Sequence, residues 1–318
     1  MKLSVAMCTY NGEKYIKSQI DSILNQTISI DEIIICDDGS NDTTLEIISQ
    51  IQQQYPTTIF LYKNATNLGS SKNFEKAITL CTGDYIFLAD QDDLWKEDKV
   101  KKTLAIFDQN PKAEGVFSNA DIIDSNDNLI PNLTIWDSVF FLEKELPKPI
   151  DFFNIVSKNG NIVTGATLCI RNHVKHFITS FEDNVLHDEK IATLLILRES
   201  LYYSTENLIS YRIHEKQQVG MKNIHKIVTK NRLKRIILDL EKPSSFLEYR
   251  HLSKKKYLKY QKSKKYQKFN SIKINIHDLI TKSHSELHNL NVKMKLKFPI
   301  RYRFVTLSDQ ILGKRKML

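Results

Sequence analysis

Three carboxylates stand close together directly after an apolar run, in the stretch YIFLADQDDLW from Tyr85 to Trp95. They are Asp90, Asp92 and Asp93. Like charges at this spacing repel one another unless a cation or hydrogen-bond donors lie between them. Oxygen ligands with few nitrogens or thiols favour Mg²⁺ or Mn²⁺, and Mg²⁺ is commonly held by one or two carboxylates together with substrate phosphates. The stretch therefore indicates a divalent metal that carries a diphosphate.

A second interpretation of the same stretch is purely structural. The carboxylates would cap and begin the helix DLWKEDKVKKTLAIF, where they interact favourably with the helix dipole. Another acidic stretch, DDGS at 37–40, ends an earlier apolar run and favours the metal. The D-x-D-D spacing is too short for an EF-hand loop. Neither G-x-G-x-x-G after the first strand nor a Walker motif is present, so dinucleotide binding and P-loop hydrolysis lose their main support.

Apolar runs alternate with amphipathic stretches along the first part of the chain. LSVAMCTY, EIIICDD, TIFLYKN and DYIFLAD are typical of buried strands. The stretches between them carry apolar residues at helical spacing, such as Phe74, Ala77 and Ile78. This alternation predicts an α/β domain with a parallel sheet and helices on both faces.

Polar residues follow every predicted strand. They are TYNG at 9–12, DDGS at 37–40, NLGSSKN at 67–73 and DQDD at 90–93. In open sheets of this type the ligand lies outside the carboxyl ends of the strands. We therefore expect these four stretches to form one binding site.

The charge is unevenly distributed along the 318 residues, whose net charge is +9. Residues 222–318 contain 26 Lys and Arg against 6 Asp and Glu, which leaves 20 against 31 for residues 1–221. We expect an acidic domain over 1–221 and a basic, mainly helical region over 222–318. The sequence lacks a membrane-spanning run and a signal-peptide pattern, and four widely spaced cysteines suggest reduced core thiols in a cytoplasmic protein.

Four of these stretches resemble the successive motifs of family 2 glycosyltransferases: SVAMCTYNGEKYIKSQIDSILNQT, EIIICDDGSNDTT, NLGSSKNFEKAI and GDYIFLADQDDLW. The family has the GT-A fold, a Rossmann-like mixed, mainly parallel sheet, and inverts the anomeric centre. The segments GATLCIRN, LHDEKIATLL and YRIHEKQQVG resemble its bacterial rhamnosyltransferase-like branch. The resemblance implies a nucleotide-binding half of about 1–120 and an acceptor half of about 121–221.

The resemblance also implies roles for individual residues. Asp37 would accept a hydrogen bond from uracil or thymine, Asp38 would support the same loop, and Asp93 would support the metal loop or cap a helix. The metal, Mg²⁺ or Mn²⁺, would be held by Asp92, Asp90 and His214. The residues that would contact the donor are Thr9, Tyr10, Asn11, Asp37, Asp38, Asn67, Gly69, Asn73, Asp90 and Arg212.

Inversion requires a base on the acceptor side and stabilisation of the departing diphosphate on the other. The resemblance puts the base at Asp188, with Glu189 as the alternative. Without the resemblance, the stretch HDE at 187–189 would be interpreted as a capped, solvated helix start. Gly165 and Ala166 are small enough for a sugar to approach the backbone, although glycine in a turn is commoner. Arg212 suits phosphate oxygens through its fork geometry.

The segment YRIHEKQQVG at 211–220, called the closing segment below, departs from the family pattern. Where related chains read approximately H-G-x-N, this one reads HEKQ at 214–217. In the family this segment commonly closes over the donor, and this chain lacks the glycine expected after His214.

The basic region has three possible roles. Its lysine-rich stretches, KNRLKRIILDL, RHLSKKKYLKYQKSKKYQKF and LGKRKML, suit an anionic membrane surface, a solvated or oligomerising face, or nucleic acid. Nucleic acid is the weakest of these, because no zinc-finger spacing or RNP signature accompanies the charge.

Two functions follow from the sequence. The first is transfer of a sugar, rhamnose in particular, from a dTDP- or UDP-linked donor to a polysaccharide or lipid-linked acceptor of the bacterial surface, by an enzyme peripheral on the inner face of the cell membrane. The second is a catalytically silent GT-A-fold scaffold that acts at a membrane or nucleic acid through the basic region.

Overall fold

The computed structural model describes residues 1–139, 141, 143, 148–152, 155–156, 160–178, 186–215, 217 and 276–297. The chain divides into two compact units, Met1–Ile150 with Asn161–Val228 and Asp151–Gly160 with Thr229–Leu318. The predicted boundary after Met221 lies outside the described residues. Among the helices in the described ranges, none is long and apolar enough to cross a membrane.

The first unit begins with parallel strands joined by helices, as the sequence predicts. Its elements are β1 (Leu3–Thr9), α1 (Ile16–Leu24), β2 (Glu32–Asp37), α2 (Thr44–Gln54), β3 (Ile59–Lys63), α3 (Ser70–Leu80) and β4 (Tyr85–Ala89). These strands pair in the order β3-β2-β1-β4, all in parallel. Every residue of β2 and β4 is buried, which explains why both runs are apolar without alternation.

The sheet continues with shorter, partly antiparallel strands. The further elements are β5 (Leu94–Trp95), α4 (Lys99–Gln109), β6 (Gly115–Ile123), β7 (Leu129–Thr134), α5 (Ile135–Val139), β8 (Cys169–Arg171), α6 (His187–Leu197) and β9 (Leu201–Arg212). β8 lies antiparallel between β4 and β6, and β6 runs parallel to β9 over most of its length. Among the described residues the sheet order is β3-β2-β1-β4-β8-β6-β9-β5, with β7 on β6.

The helical interpretation of the stretch Asp90–Asp93 is wrong. α4 begins only at Lys99, with Asp98 at its N-cap position. Between the carboxylates and the helix, Leu94 and Trp95 form β5, which pairs with β9. The carboxylates therefore occupy a loop that joins the carboxyl end of β4 to a second strand of the same sheet.

The second unit is described chiefly by one helix, α7 (Ile276–Lys297). Leu287, Leu290 and Met294 are buried and recur at helical spacing, whereas Val292 and Leu296 are exposed. The remainder of the basic region, residues 222–275 and 298–318, lies outside the described residues.

All four cysteines are free thiols in the structure. Cys36, Cys81 and Cys169 are buried, and Cys8 is partly exposed. Burial raises the pKa of the Cys36 thiol to about 11, so the thiol stays protonated and unreactive at neutral pH. The cysteines behave as core residues, as expected from the sequence.

Candidate functional site

Asp37 joins the carboxyl ends of the neighbouring strands β1 and β2. Its carboxylate is buried and accepts hydrogen bonds from Thr9 Oγ1 at 2.8 Å, from the Gly39 and Ser40 amides at 3.1 and 2.9 Å, and from Ser40 Oγ at 2.5 Å. Both carboxylate oxygens are therefore engaged within the protein. The expectation that Asp37 also accepts a bond from the base stays a prediction.

Asp38 organises the start of α3. Its carboxylate accepts hydrogen bonds from the Leu68 amide at 2.7 Å and the Gly69 amide at 2.9 Å, and its carbonyl accepts one from the Asn67 side chain at 3.0 Å. The Asn73 side chain donates to a carbonyl oxygen of β2 at 2.8 Å. The structure thus brings together four of the residues predicted to contact the donor.

Gln91 ties the loop after β1 to the acidic loop. The Tyr10 amide donates to Gln91 Oε1 at 2.8 Å, and Gln91 Nε2 donates to the Tyr10 carbonyl at 3.1 Å. A Cβ atom on Gly12 would lie only 2.2 Å from Gln91 Oε1, so a larger residue there would displace this amide. Sequence reasoning treated Gln91 merely as a polar residue and missed this role.

Asp92 and His214 form the part of the site best suited to a metal. Asp92 Oδ2 and His214 Nε2 are 2.9 Å apart, and the two side chains are 14% and 11% exposed. One carboxylate oxygen and one imidazole nitrogen thus adjoin at the same point. In the part of the chain that the structure describes, no group of three His, Cys, Asp or Glu is arranged to hold a metal unaided.

The carboxylates around this pair repel one another. Desolvation, together with the charges of Asp92 and Asp188, raises the pKa of Asp90 to about 7. Asp93 is buried, and desolvation together with the neighbouring charges of Asp92 and Asp90 raises its pKa well above the usual range. A divalent cation relieves this repulsion. The donor set therefore fits Mg²⁺ or Mn²⁺ held by Asp92 and His214, with the remaining ligands supplied by a diphosphate.

Arg212 is committed to acceptors within the protein. It is 1% exposed, and its Nε donates to the Asp92 carbonyl at 2.6 Å. Nη1 donates to the Asp124 carbonyl at 3.3 Å and to the Asp127 carboxylate, and the guanidinium lies 4.4 Å from the centre of the Tyr15 ring. Nη2 has no partner among the described residues. Arg212 thus joins the acidic loop to the β6–β7 turn, and the predicted phosphate contact remains a prediction.

Gln217 folds the closing segment back on itself. Its Oε1 accepts a hydrogen bond from the His214 amide at 3.2 Å, and its Nε2 donates to the Arg212 carbonyl at 2.7 Å. Through these two bonds the segment turns without the glycine expected after His214. Sequence reasoning had no signal for this role of Gln217.

Asp188 lies in the first turn of α6 and is held by two backbone amides. The Glu189 amide donates to Oδ1 at 2.6 Å, and the Gly165 amide donates to Oδ2 at 3.2 Å. Desolvation raises the pKa of Asp188 to about 7, against the effect of these two amides. A carboxyl group with this pKa is suited to act as a general base near neutral pH.

His187, beside Asp188, is buried. Its ring stacks on Phe74 with centroids 3.9 Å apart, and burial lowers its pKa to about 3. Neither ring nitrogen has a partner in the described ranges. The interpretation of HDE as a solvated helix start is therefore wrong at His187. Gly165 packs against this ring, since a Cβ atom there would lie 2.6 Å from His187 Nε2.

A cavity of about 1000 Å³ opens beside His214 of the Asp92–His214 pair. Its lining includes Asn11, Tyr15, Gln91, Asp124 and His214. Its volume is in the range of small-molecule sites. The loops after β1 and β4 and the segment after β9 therefore meet around one space.

Comparison with known proteins identifies the family. Residues 4–177, more than half of the chain, match the model of glycosyl transferase family 2. The dTDP-rhamnosyl transferase RfbG of Shigella flexneri is 31% identical over 231 residues, which cover 67% of this chain and 73% of that protein. Two other curated relatives are longer, and the match covers 40% and 25% of their lengths.

Two solved structures share the fold. Staphylococcus aureus TarS 1–349 in complex with UDP-GlcNAc has a TM-score of 0.57 at 17% identity, covering 92% of this chain and 83% of that one. The mannosyltransferase PcManGT from Pyrobaculum calidifontis, in complex with GDP-Man and Mn²⁺, has a TM-score of 0.51 at 13% identity, covering 99% and 81%. The predicted GT-A fold is confirmed, and the chain belongs to glycosyl transferase family 2.

Proposed function

We propose that the protein is an inverting glycosyltransferase that moves a sugar from a nucleoside-diphosphate donor to a glycan or lipid-linked acceptor. One observation carries this proposal: the candidate metal ligand and the candidate base belong to neighbouring segments. Asp92 in the loop after β4 meets His214 at 2.9 Å. The turn whose Gly165 amide holds Asp188 is itself bonded to β4 through the Leu88 amide and the Leu168 carbonyl. Inverting transfer needs these two functions on opposite sides of the reacting carbon.

On the donor side, Asp92 and His214 would hold Mg²⁺ or Mn²⁺, and Asp90 would face the ion or the ribose. Held there, such an ion would neutralise charge on the departing nucleoside diphosphate. The Mn²⁺ complex of the mannosyltransferase from Pyrobaculum calidifontis supports this assignment. Thr9, Tyr10, Asn11, Asp37 and Asp38 belong to the loops that would bind the nucleoside.

On the acceptor side, Asp188 would take the proton of the attacking hydroxyl. Its two amide hydrogen bonds hold the carboxylate in one orientation. A carboxylate oxygen held in this way would be in place to take the proton of the incoming hydroxyl. Glu189, one position later on α6, is the alternative base.

For the donor we propose rhamnose carried on dTDP, with UDP-linked sugars as the alternative. The name of the relative RfbG, a dTDP-rhamnosyl transferase, supports the first, and the complex of TarS with UDP-GlcNAc supports the second. In either case the acceptor would be a growing polysaccharide or lipid-linked oligosaccharide of the bacterial surface.

The basic region would bring the enzyme to its acceptor. A net charge of +20 over residues 222–318 favours an anionic leaflet, at about 1 kcal/mol for each Lys or Arg near the surface. We infer a cytoplasmic protein, peripheral on the inner face of the cell membrane. Nucleic acid is the less favoured partner of this region.

A transfer assay on the full chain tests the proposal. We would supply dTDP-rhamnose, UDP-glucose, UDP-GlcNAc and GDP-mannose, each with Mn²⁺ and a panel of oligosaccharide and polyprenyl-diphosphate-linked acceptors, and measure the release of nucleoside diphosphate. The proposal predicts release from one donor, inversion at the anomeric carbon, and loss of release in Asp188→Asn. A folded protein that consumes none of the donors and binds none of their nucleotides would instead support the scaffold.

A further inference from the structure

Lys99, in the first turn of α4, is a buried lysine within the first unit. It is 1% exposed, and its ammonium lies 3.8 Å from the centre of the Trp95 ring. Its Nζ donates a hydrogen bond to the Ala166 carbonyl oxygen at 2.8 Å. Burying a lysine is costly unless its charge is compensated, so a position this deep requires an explanation.

The acceptor of this hydrogen bond belongs to the turn that holds Asp188. Ala166 is the central residue of the short 3-10 helix Gly165–Thr167, and the Gly165 amide donates to Asp188 Oδ2. On its other side, the turn is attached to β4, where the Leu88 amide donates to the Leu168 carbonyl at 3.0 Å. Lys99 and β4 are therefore two separate attachments of one turn.

This turn packs closely against the start of α6, which carries Asp188. A Cβ atom on Gly165 would lie 2.6 Å from His187 Nε2 and 3.5 Å from Asp188 Cβ. The turn backbone is thus in direct contact with the first turn of α6. Displacing the turn would displace the carboxylate or remove its hydrogen bond.

The charge of Lys99 also faces the acidic loop. Burial lowers the pKa of Lys99 to about 7, while the neighbouring carboxylates of Asp93 and Asp90 act in the opposite direction. The Lys99 side chain therefore bonds to the turn that orients the base and also interacts with carboxylates of the acidic loop.

We propose that Lys99 is a positioning residue for Asp188: by holding the Ala166 carbonyl it fixes the turn whose Gly165 amide orients the carboxylate. This inference rests on the proposed function, in which Asp188 is the base. Lys99 itself does not touch the acceptor, and its effect reaches the reaction only through the turn.

The test compares Lys99→Met with Lys102→Met in the full chain. Lys102 lies on the same helix but is exposed and paired with Asp98 and Glu206, so its replacement controls for loss of a lysine from α4. We expect Lys99→Met to lower kcat by up to roughly 100-fold, the cost of a small misplacement of a catalytic group, with an unchanged Kd for the donor nucleotide. Lys102→Met should match the wild type.

The pH profile separates positioning from a general loss of structure. The Gly165 amide stabilises the ionised form of Asp188, so its loss should raise the pKa of the base and move the acidic limb of kcat to higher pH. The other groups facing Asp188, namely Glu189, Asp90, Tyr211 and the buried His187, are retained in both variants. Lys99 also lowers the pKa of Asp90, so loss of this lysine additionally favours the neutral form of Asp90.

Each outcome of these measurements has a definite meaning. A Lys99→Met variant with the kcat and pH limb of the wild type would overturn the inference, as would a loss confined to donor binding. If Lys99→Met does not fold, Lys99→Gln, which is shorter and polar, undergoes the same measurements with the same expected shift. An active Asp188→Asn variant would overturn the proposed function itself, whereas an inactive one beside a normal Lys99→Met would overturn this inference alone.

Discussion

Asp92 and His214 are 122 positions apart in the chain, and their side chains meet at 2.9 Å. One belongs to the loop after β4 and the other follows β9, the last described strand of the sheet. The tilted ring of Tyr15 lies 5.0 Å from the imidazole, so the first loop of the sheet also contributes to this contact. The candidate metal site is therefore a product of tertiary structure rather than of one sequence motif.

Replacing His214 should weaken the binding of the metal ion. We expect His214→Ala to lower the affinity for Mn²⁺ by roughly 10- to 100-fold, the usual cost of losing a partner around a metal ligand. The measurement is the Mn²⁺ concentration needed for half-maximal nucleotide binding. His173→Ala is the control, because His173 is half exposed and pairs with Glu114 outside the site. An unchanged Mn²⁺ dependence in His214→Ala would exclude His214 from the metal site.

Replacing Asp188 should separate chemistry from binding. Asp188→Asn keeps the shape of the side chain but cannot accept the proton, so we expect transfer to fall by roughly 10²- to 10⁴-fold while nucleotide binding stays intact. Glu189→Gln should retain most of the activity. The opposite result, an active Asp188→Asn and an inactive Glu189→Gln, would move the base to Glu189.

The rate of transfer should depend on pH through the same group. Desolvation raises the pKa of Asp188 to about 7, and the base works only when it is deprotonated. We therefore expect kcat to fall as the pH drops through about 7 and to level off above it. A rate that stays constant between pH 8 and pH 5, well below that pKa, would contradict the assignment of Asp188 as the base.

Replacing Arg212 tests whether this side chain stabilises the fold or binds phosphate. Lysine cannot reproduce the fork that reaches Asp92, Asp124 and Asp127, so we expect Arg212→Lys to lower the free energy of unfolding by about 1–3 kcal/mol, measured by urea denaturation. Lys17→Ala, which removes only an exposed pair with Asp21, is the control. Unchanged stability together with lost nucleotide binding would favour the phosphate contact predicted from the sequence.

The basic region should make membrane binding depend on charge. We expect the full chain to sediment with vesicles that contain anionic lipid but not with neutral ones, and to be released by salt. Replacing Lys254, Lys255 and Lys256 by Glu should weaken this binding, and replacing the exposed Lys17 by Glu should not. Equal binding to neutral vesicles would contradict the proposed electrostatic attachment.

The strands and helices of the first ninety residues follow from local patterns, and the structure confirms them. Uninterrupted apolar runs such as Glu32–Asp37 are buried on both faces, and the helices between them present apolar residues at helical spacing. The position of Asp188 in the first turn of a helix was equally visible. These features depend on residues close together in the sequence, which is why the sequence sufficed.

Other features depend on distant partners and could not be predicted. Leu94 and Trp95 form a strand only because β9 lies beside them, and a two-residue run has no periodicity of its own. The contacts of Arg212 with Asp124 and Asp127 join residues that are remote in sequence, so only the fold reveals them. The roles of Gln91 and Lys99 depend in the same way on contacts that only the fold brings about.

The most direct test of the central claim is a calorimetric titration of the full chain with UDP, dTDP and GDP, each with and without Mn²⁺. We predict that at least one of these nucleotides binds, that the binding requires Mn²⁺, and that Asp92→Asn abolishes it. A protein shown to be folded that binds none of them under either condition would contradict the assignment of a nucleotide-sugar site.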